Sequence, residues 1–391
     1  MSDSLPTRET LLPYGKQWLE DDDIEAVINV LKSDFITQGP QIERFERKVA
    51  EYVGVKYAVA FCNGTAALHG ACFAADIKPM DEVITTPVTF LASSNCVLYM
   101  GGKPVFADID SQTYNLDPAQ IEAKLTDRTK AIIAVDFTGQ PAEMDRIEMI
   151  ARDHGLTIIH DAAHSLGASY QGRKVGTFGD MTMFSFHPVK HITTGEGGMI
   201  VTDNEKLYKL LLLFRNHGMT RDAALLEKND GPWYYEMQEL GFNYRMTDIQ
   251  AALGVSQMDK LDLFVARRRE IAEHYNMAFG DMEGLIIPKQ HEDANSSWHL
   301  YVLRFHLNQF KVGRKELFEA LRAANIGVNV HYIPVYKQPY YQKHGYSETY
   351  CSNAESYYNT TISLPLFPKM TREDVESVIA AVLNVYEKYK A

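Results

Sequence analysis

The order of strand-like and helix-like segments between residues 57 and 203 predicts an α/β fold, a mainly parallel central sheet in a large domain, followed by a smaller α+β C-terminal domain. Three observations predict it. Short apolar runs alternate with longer amphipathic ones. Those runs are nearly continuous in hydrophobicity, as strands covered on both faces must be. The rhythm stops near residue 250, where a long periodic stretch leads into mixed strand and helix patterns. The expected division is 1–255 for the large domain with its N-terminal arm and 256–391 for the small one.

Residues 1–16 read as an extended arm. Asp21 to Lys32 has acidic residues in its first turn and Ile24, Val27, Ile28 and Leu31 at helical spacing. Ser33 to Pro40 breaks that helix, and Gln41 to Val53 forms a second one stopped by Gly54. Strands are then expected at 57–61, 82–86, 104–108, 131–137 and 156–161. Helices opening at Asn63 and spanning 90–100, 117–125 and 143–154 separate them. Strands 181–186 and 198–203 follow with a short connection, which predicts a hairpin at one side of the sheet. Helix 207–216, a loop over 221–235 and a connector helix over 247–278 come next. The remainder holds strands 298–305 and 327–331 and helices 314–323 and 372–388.

With 391 residues, 46% hydrophobic and 23% charged, the chain has material for an ample core. Its formal net charge of −12 argues against a nucleic-acid partner. The four cysteines, Cys62, Cys72, Cys96 and Cys351, form no C-x-x-C pair and read as reduced thiols of a cytoplasmic protein. No stretch has the h-region of a signal peptide or the length of a membrane span, so neither membrane nor export is expected.

The chemistry concentrates in Met181 to Gly198, an apolar strand, one lysine and a glycine-rich turn. Ligands of such sheets sit beyond the carboxyl ends of the strands. Asp161 closes the strand before. Asn63-Gly64-Thr65 stands at a strand-to-helix junction, where free N–H groups and the helix dipole suit an anion. Ser185 ends the strand that leads to Lys190, and Phe90 follows another. Singly each has a plainer reading: Gly64-Thr65 a helix cap, Asp161 an N-cap or turn residue, Phe90 a core aromatic, Lys190 an ion-pair partner. Together they are what a pyridoxal phosphate enzyme needs: an amine, a carboxylate for the ring nitrogen, an aromatic platform and a phosphate cradle. The pair His160 and His164 straddles a strand end and lacks the glutamate of H-E-x-x-H, so no metal site is expected. Gly195-Glu-Gly-Gly is not a dinucleotide fingerprint, and no P-loop occurs. Glu196 reads as support for the turn beside Lys190.

At Ser185-Phe-His-Pro-Val-Lys-His-Ile-Thr-Thr-Gly-Glu-Gly-Gly198 the sequence resembles the DegT/DnrJ/EryC1/StrS sugar-nucleotide aminotransferases. The resemblance extends to Thr37–Pro40, Asn63–Leu68, Pro87–Phe90, His160–His164, Gly241–Asp248 and Val330–Pro334. It implies the aspartate-aminotransferase-like fold type I, with pyridoxal 5′-phosphate as cofactor and its pyridoxamine form in the cycle. It implies Lys190 as the Schiff-base lysine, Asp161 as the partner of the pyridine nitrogen, Phe90 as the stacking aromatic and His164 on the O3′ side. Gly64, Thr65 and Ser185 match the phosphate cradle. Asn243 matches a phosphate ligand given by a neighbouring subunit, which implies a homodimer with a shared active site. Tyr14, Asp34, Phe35, Ile36, Thr37, His187, His331, Tyr332, Ile333 and Pro334 fall on the nucleotide-sugar side.

Within that family a dehydrating branch carries histidine where this chain has Lys190, so transamination is implied. His187-Pro-Val-Lys, Phe137–Pro141 and Tyr332–Tyr341 resemble the pseudaminic acid branch. That branch moves an amino group from L-glutamate to C4 of UDP-2-acetamido-2,6-dideoxy-β-L-arabino-hex-4-ulose. D-configured, TDP-linked and GDP-linked 4-keto sugars are the alternative substrates.

Overall fold

A computed structural model describes residues 8–391. Seven strands form the main sheet: β1 Tyr57–Phe61, β2 Glu82–Thr85, β3 Lys103–Phe106, β4 Thr129–Val135, β5 Thr157–Asp161, β6 Met181–Ser185 and β7 Gly198–Thr202. Their spatial order is β1-β7-β6-β5-β4-β2-β3. All run in one direction except β7, which is antiparallel to both β6 and β1. The expected pairing of the last two strands therefore forms, but β7 is internal and β1 is the edge.

The central strands are buried along almost their whole length, which is why their sequences lack polar alternation. Helices cover both faces. Gly64–Ala74 and Ala92–Tyr99 pack Leu68, Ala71, Cys96 and Val97 on one side, in a cluster with Val83, Ile133 and Ile159. Met144–His154 packs Ile147 and Ile150 on the other, against Ile132, Ala134 and Ile158. The first of these has Asn63 as its N-cap, whose Oδ1 accepts from the Ala66 N–H at 2.8 Å.

A second, three-stranded antiparallel sheet is made of Leu285–Ile286, Tyr301–Phe305 and Thr361–Leu364. Its Tyr301, Leu303, Phe305 and Ile362 share a core with Leu317 and Leu321 of helix Arg314–Ala323 and with Val378 and Val382 of helix Arg372–Tyr389.

Four sequence expectations need correction or completion. The connector over 247–278 is two helices, Asp248–Met258 and Leu261–Phe279. The chain breaks where Lys260 Nζ reaches Asp22 at 2.5 Å and the buried Asp23 at 2.8 Å. Residues 327–331 form no strand; Asn329 makes a lone bridge to Ser363, and Gly327 N–H goes to the Leu12 carbonyl instead. Phe90 precedes its helix, which starts at Ala92. Strand Thr361–Leu364 and helix Ser352–Thr360 were not expected. Of the arm, residues 1–7 lie outside the described residues; Leu12 pairs with Ile326.

Candidate active site

Because β1, β2, β4, β5 and β6 run parallel, their carboxyl ends open on one edge of the sheet. A cavity of about 880 Å³ lies there. Tyr14, Gly64, Thr65, Phe90, Asp161, His164, Ser185, His187, Lys190, His331 and Tyr332 all line it, so the structure gathers residues from across 318 positions of chain in one place.

Asp161 ends β5 and is buried. Its Oδ2 accepts from Ser93 Oγ at 2.6 Å, and its Oδ1 accepts from the Ala163 N–H at 3.2 Å. Burial pushes its carboxyl above the usual range, against the pull of Ser93, Ala163 and the Lys190 charge. Lys190 follows β6 in a turn closed by its own N–H on the His187 carbonyl at 2.9 Å, with Pro188 supplying the fixed φ that such a turn uses. Burial lowers its amine to about 8, and the Asp161 charge opposes that fall.

Gly64 and Thr65 open a helix at the same edge. The N-cap of Asn63 uses the Ala66 N–H, while the N–H groups of Gly64 and Thr65 have no intrahelical acceptor. A Cβ on Gly64 would stand 3.3 Å from Ser185 Cβ, so the glycine keeps this concave corner open beside the Ser185 hydroxyl. Gly198 serves the same corner from behind. A Cβ there would lie 2.4 Å from the Asn63 carbonyl oxygen and 2.7 Å from the Gly64 nitrogen. The run Thr193 to Gly198 thus has a mechanical reading. Thr193 Oγ1 donates to the Phe186 carbonyl and accepts from the Gly195 N–H, and Gly195 turns with φ +80°. The Glu196 carbonyl accepts from Thr194 Oγ1 and Gln250 Nε2, while the exposed Glu196 side chain reaches the cavity mouth.

The opposite wall is histidine-rich. His164 lies 4.2 Å from His299 between ring centroids, is buried, and has an unpartnered Nδ1. His331 Nδ1 lies 2.8 Å from Ser363 Oγ, and burial pushes its imidazole down to about 3. Its ring is 5.3 Å from that of Tyr14 and 4.8 Å from that of Tyr332. Phe90 stands at the mouth, 58% exposed, with its ring 6.3 Å from Tyr332. The exposed ring leaves a face free for a planar ligand.

Other expected residues are not brought to this cavity by the single chain. Asp34, Phe35, Ile36 and Thr37 are exposed; Ile36 and Thr37 attach to the start of helix Asp248–Met258, where the Ile36 carbonyl accepts from the Asp248 N–H. Asn243 is exposed and bridges Asn216, although its neighbour Tyr244 lines the cavity. Ile333 is exposed and Pro334 buried; they carry the loop that docks through the Val335 N–H on the Pro87 carbonyl. Ser93, Thr89, Asn329 and Tyr244 were missed. Ser93 stands three residues after Phe90 on the first helical turn beyond β2, a spacing that could have drawn notice; Asn329 had no such signal.

Residues 17–383 match the model of the DegT/DnrJ/EryC1/StrS aminotransferase family. The chain belongs to this family. It is 44% identical to the spore coat polysaccharide biosynthesis protein SpsC of Bacillus subtilis over 97% of this chain and 98% of that one. It is 38% identical to the UDP-4-amino-4,6-dideoxy-N-acetyl-beta-L-altrosamine transaminase of Campylobacter jejuni serotype O:23/36, over 97% and 99%. Among solved structures, Helicobacter pylori PseC, an aminotransferase of pseudaminic acid biosynthesis, superposes with a TM-score of 0.90 at 34% identity, covering 97% of this chain and all of that one. A sugar aminotransferase of Streptococcus pneumoniae, described in PLP and PMP forms, is 30% identical in the PMP form, with a TM-score of 0.90 and coverage of 96% and 99%.

The protein is thus a PLP-dependent sugar aminotransferase of fold type I. Its residues fit the cofactor. The cavity holds a depressed amine, a buried carboxylate, unsatisfied N–H groups at a helix start and a glycine corner that a Cβ would crowd. Among the described residues no cluster of three or more metal-ligating side chains occurs, and no helix is long and apolar enough to cross a membrane.

Proposed function

We propose that this enzyme transfers the amino group of L-glutamate to C4 of UDP-2-acetamido-2,6-dideoxy-β-L-arabino-hex-4-ulose, in a pseudaminic acid-type sugar pathway of the cytoplasm. The observation that carries the reaction type is the meeting of Lys190 and Asp161 in one cavity. The Campylobacter and Helicobacter relatives support the choice of sugar.

In this reading Lys190 anchors the cofactor. Asp161 would hold its ring nitrogen, Gly64, Thr65 and Ser185 would hold its phosphate, and Phe90 and His164 would hold its ring. The bound cofactor supplies an electron sink for the carbon that loses a proton. Lys190 Nζ takes the α-proton of glutamate and later delivers a proton to C4 of the sugar. An amine near 8 can do both close to neutral pH, which an unperturbed lysine near 10.5 does poorly. Asp161, fixed by Ser93 and Ala163, acts electrostatically rather than as a base. His331 is held neutral by burial and Tyr14 and Tyr332 flank it, a wall suited to hydroxyls and amides of a sugar.

The reading includes a homodimer in which Asn243 and residues 34–37 complete the partner's cavity. Phe35 and Ile36 are 58% and 51% exposed, and Trp233, Met237 and Leu240 are more exposed still, which an isolated chain leaves uncovered. We also keep a two-domain division near residue 255, which falls inside helix Asp248–Met258.

A substrate panel tests the assignment. UDP-linked 4-keto sugars of L and D configuration, with TDP and GDP counterparts, are assayed for glutamate-dependent amination. The L-arabino UDP sugar is expected to have the highest kcat/KM. A tenfold preference for another sugar nucleotide would select the alternative substrates, and a deoxy sugar without nitrogen would mark a dehydratase.

A further inference from the structure

Arg268 is wholly buried on helix Leu261–Phe279, and no carboxylate lies within ion-pair distance of it among the described residues. An uncompensated buried cation is costly. Its presence therefore asks for a reason. The guanidinium is held only by main-chain carbonyls. Nη2 donates to Val189 and Lys190, both at 3.3 Å. Nη1 donates to Leu366 at 3.0 Å, His299 at 3.2 Å and Trp298 at 3.4 Å. Nε has no partner.

These contacts join two parts of the chain. Val189 and Lys190 belong to the turn after β6. Trp298 and His299 lead into strand Tyr301–Phe305, and Leu366 follows strand Thr361–Leu364 of the second sheet. His299 in turn lies against His164 on the cavity wall. One planar, five-donor group thus ties the lysine turn to the second sheet, a task a lysine's point charge performs poorly.

We propose that Arg268 is a positioning residue for the reaction: its guanidinium clamps the Val189–Lys190 backbone to the second sheet and keeps a fixed positive charge at the root of the Lys190 side chain. This rests on the reading of Lys190 as the catalytic amine. A nearby cation disfavours the ammonium form, adding to the larger effect of burial on Lys190. Burial pushes the guanidinium itself down to about 9. It stays protonated at neutral pH. The titratable groups around the Lys190 amine are Asp161 from β5, which favours the ammonium form, and the histidines His164, His187, His191, His299 and His331, all lowered by burial.

The test measures Lys190 directly in the cofactor-free full-length chain. Its rate of reductive methylation is followed against pH by peptide mass spectrometry in wild type, Arg268→Gln and Arg268→Lys. The charge-free variant is expected to raise the Lys190 midpoint by about one pH unit, while Arg268→Lys keeps it near wild type. In the loaded enzyme, Arg268→Lys is expected to lower kcat about tenfold with little change in KM, because the charge remains and the two-sided clamp is lost. An unmoved midpoint in Arg268→Gln, or the same rise in both variants, overturns the charge role. Wild-type kcat in Arg268→Lys overturns the clamp. Should Arg268→Gln fail to fold, a full-unit rise in Arg268→Lys still contradicts the proposal. Lys190→Ala serves as the separate control: if it keeps turnover, the catalytic reading itself fails, whatever the arginine variants do.

Discussion

Ser93 Oγ donates to Asp161 Oδ2 at 2.6 Å, and both groups are buried at the carboxyl edge of the central sheet. Thr89 Oγ1 lies 2.7 Å from the same Ser93 hydroxyl, so the loop after β2 and the end of β5 are joined by a short chain of oxygens. The chain fixes the carboxylate's direction, and it keeps the carboxyl from rising further than burial already pushes it.

Ser93→Ala removes a hydrogen bond to a charged group, worth about 1.5–3 kcal/mol in such settings. Asp161 then titrates higher, so the acid limb of the kcat/KM profile is expected to move to higher pH. The rate loss should be about tenfold near pH 6 and smaller at pH 8. Asp161→Asn, which keeps shape and removes charge, should fold normally and lose most of the rate at every pH. An acid limb unmoved in Ser93→Ala would disconnect the two residues.

Gly198→Ala and Gly64→Ala separate two demands on the glycine corner beside Ser185. The first puts a Cβ 2.4 Å from the Asn63 carbonyl oxygen, which only a backbone shift relieves; the second meets Ser185 at 3.3 Å, a milder conflict. Denaturant unfolding should show Gly198→Ala losing about 1–3 kcal/mol and Gly64→Ala less. PLP affinity, read by titration, should fall in both. Equal stability losses would remove the distinction.

Lys190 also carries a stability prediction. Its amine is lowered in the folded chain, from 10.5 to about 8, so the unfolded state binds more protons between those values. Stability attributable to this group therefore rises with pH across that window and is lowest below it. In the cofactor-free protein Lys190→Met should be more stable than wild type by about 1–3 kcal/mol at pH 7. The gap should shrink by pH 10. A gap independent of pH would mean that the lysine is not depressed.

The proposed dimer predicts complementation. Mixed dimers of Lys190→Ala and Asn243→Ala chains contain one site with both native residues. Random mixing of the two inactive variants should restore roughly a quarter of wild-type activity. No recovery, with heterodimers verified by mass, would place Asn243 outside the partner's site.

Much of the fold was legible because a buried parallel sheet writes itself as apolar runs: Tyr57–Phe61 and Thr157–Asp161 lie where the pattern put them, within a residue. The cavity lining was legible at strand ends, as at Asp161, Ser185 and Gly64, which the structure brings together. It was not legible where the determinant is a tertiary contact. At the break, Asp259–Lys260, Lys260 reaches Asp22 and Asp23, far away in sequence, while the helical periodicity runs through it. Residues 327–331 look like a strand, but the Leu12 carbonyl takes the Gly327 N–H and the ladder does not form. Arg268 reads as one of three consecutive arginines on a helix, and only the packed structure shows which of them is buried.

The central claim is that Lys190 is the amine on which the reaction turns. Lys190→Ala, reconstituted with PLP, should lose glutamate-dependent amination of the UDP-4-keto sugar by about 10⁴-fold or more. It should also lose the visible absorbance of lysine-bound cofactor, while its circular dichroism and Tm show a folded chain. Turnover near the wild-type rate in that variant would contradict the account.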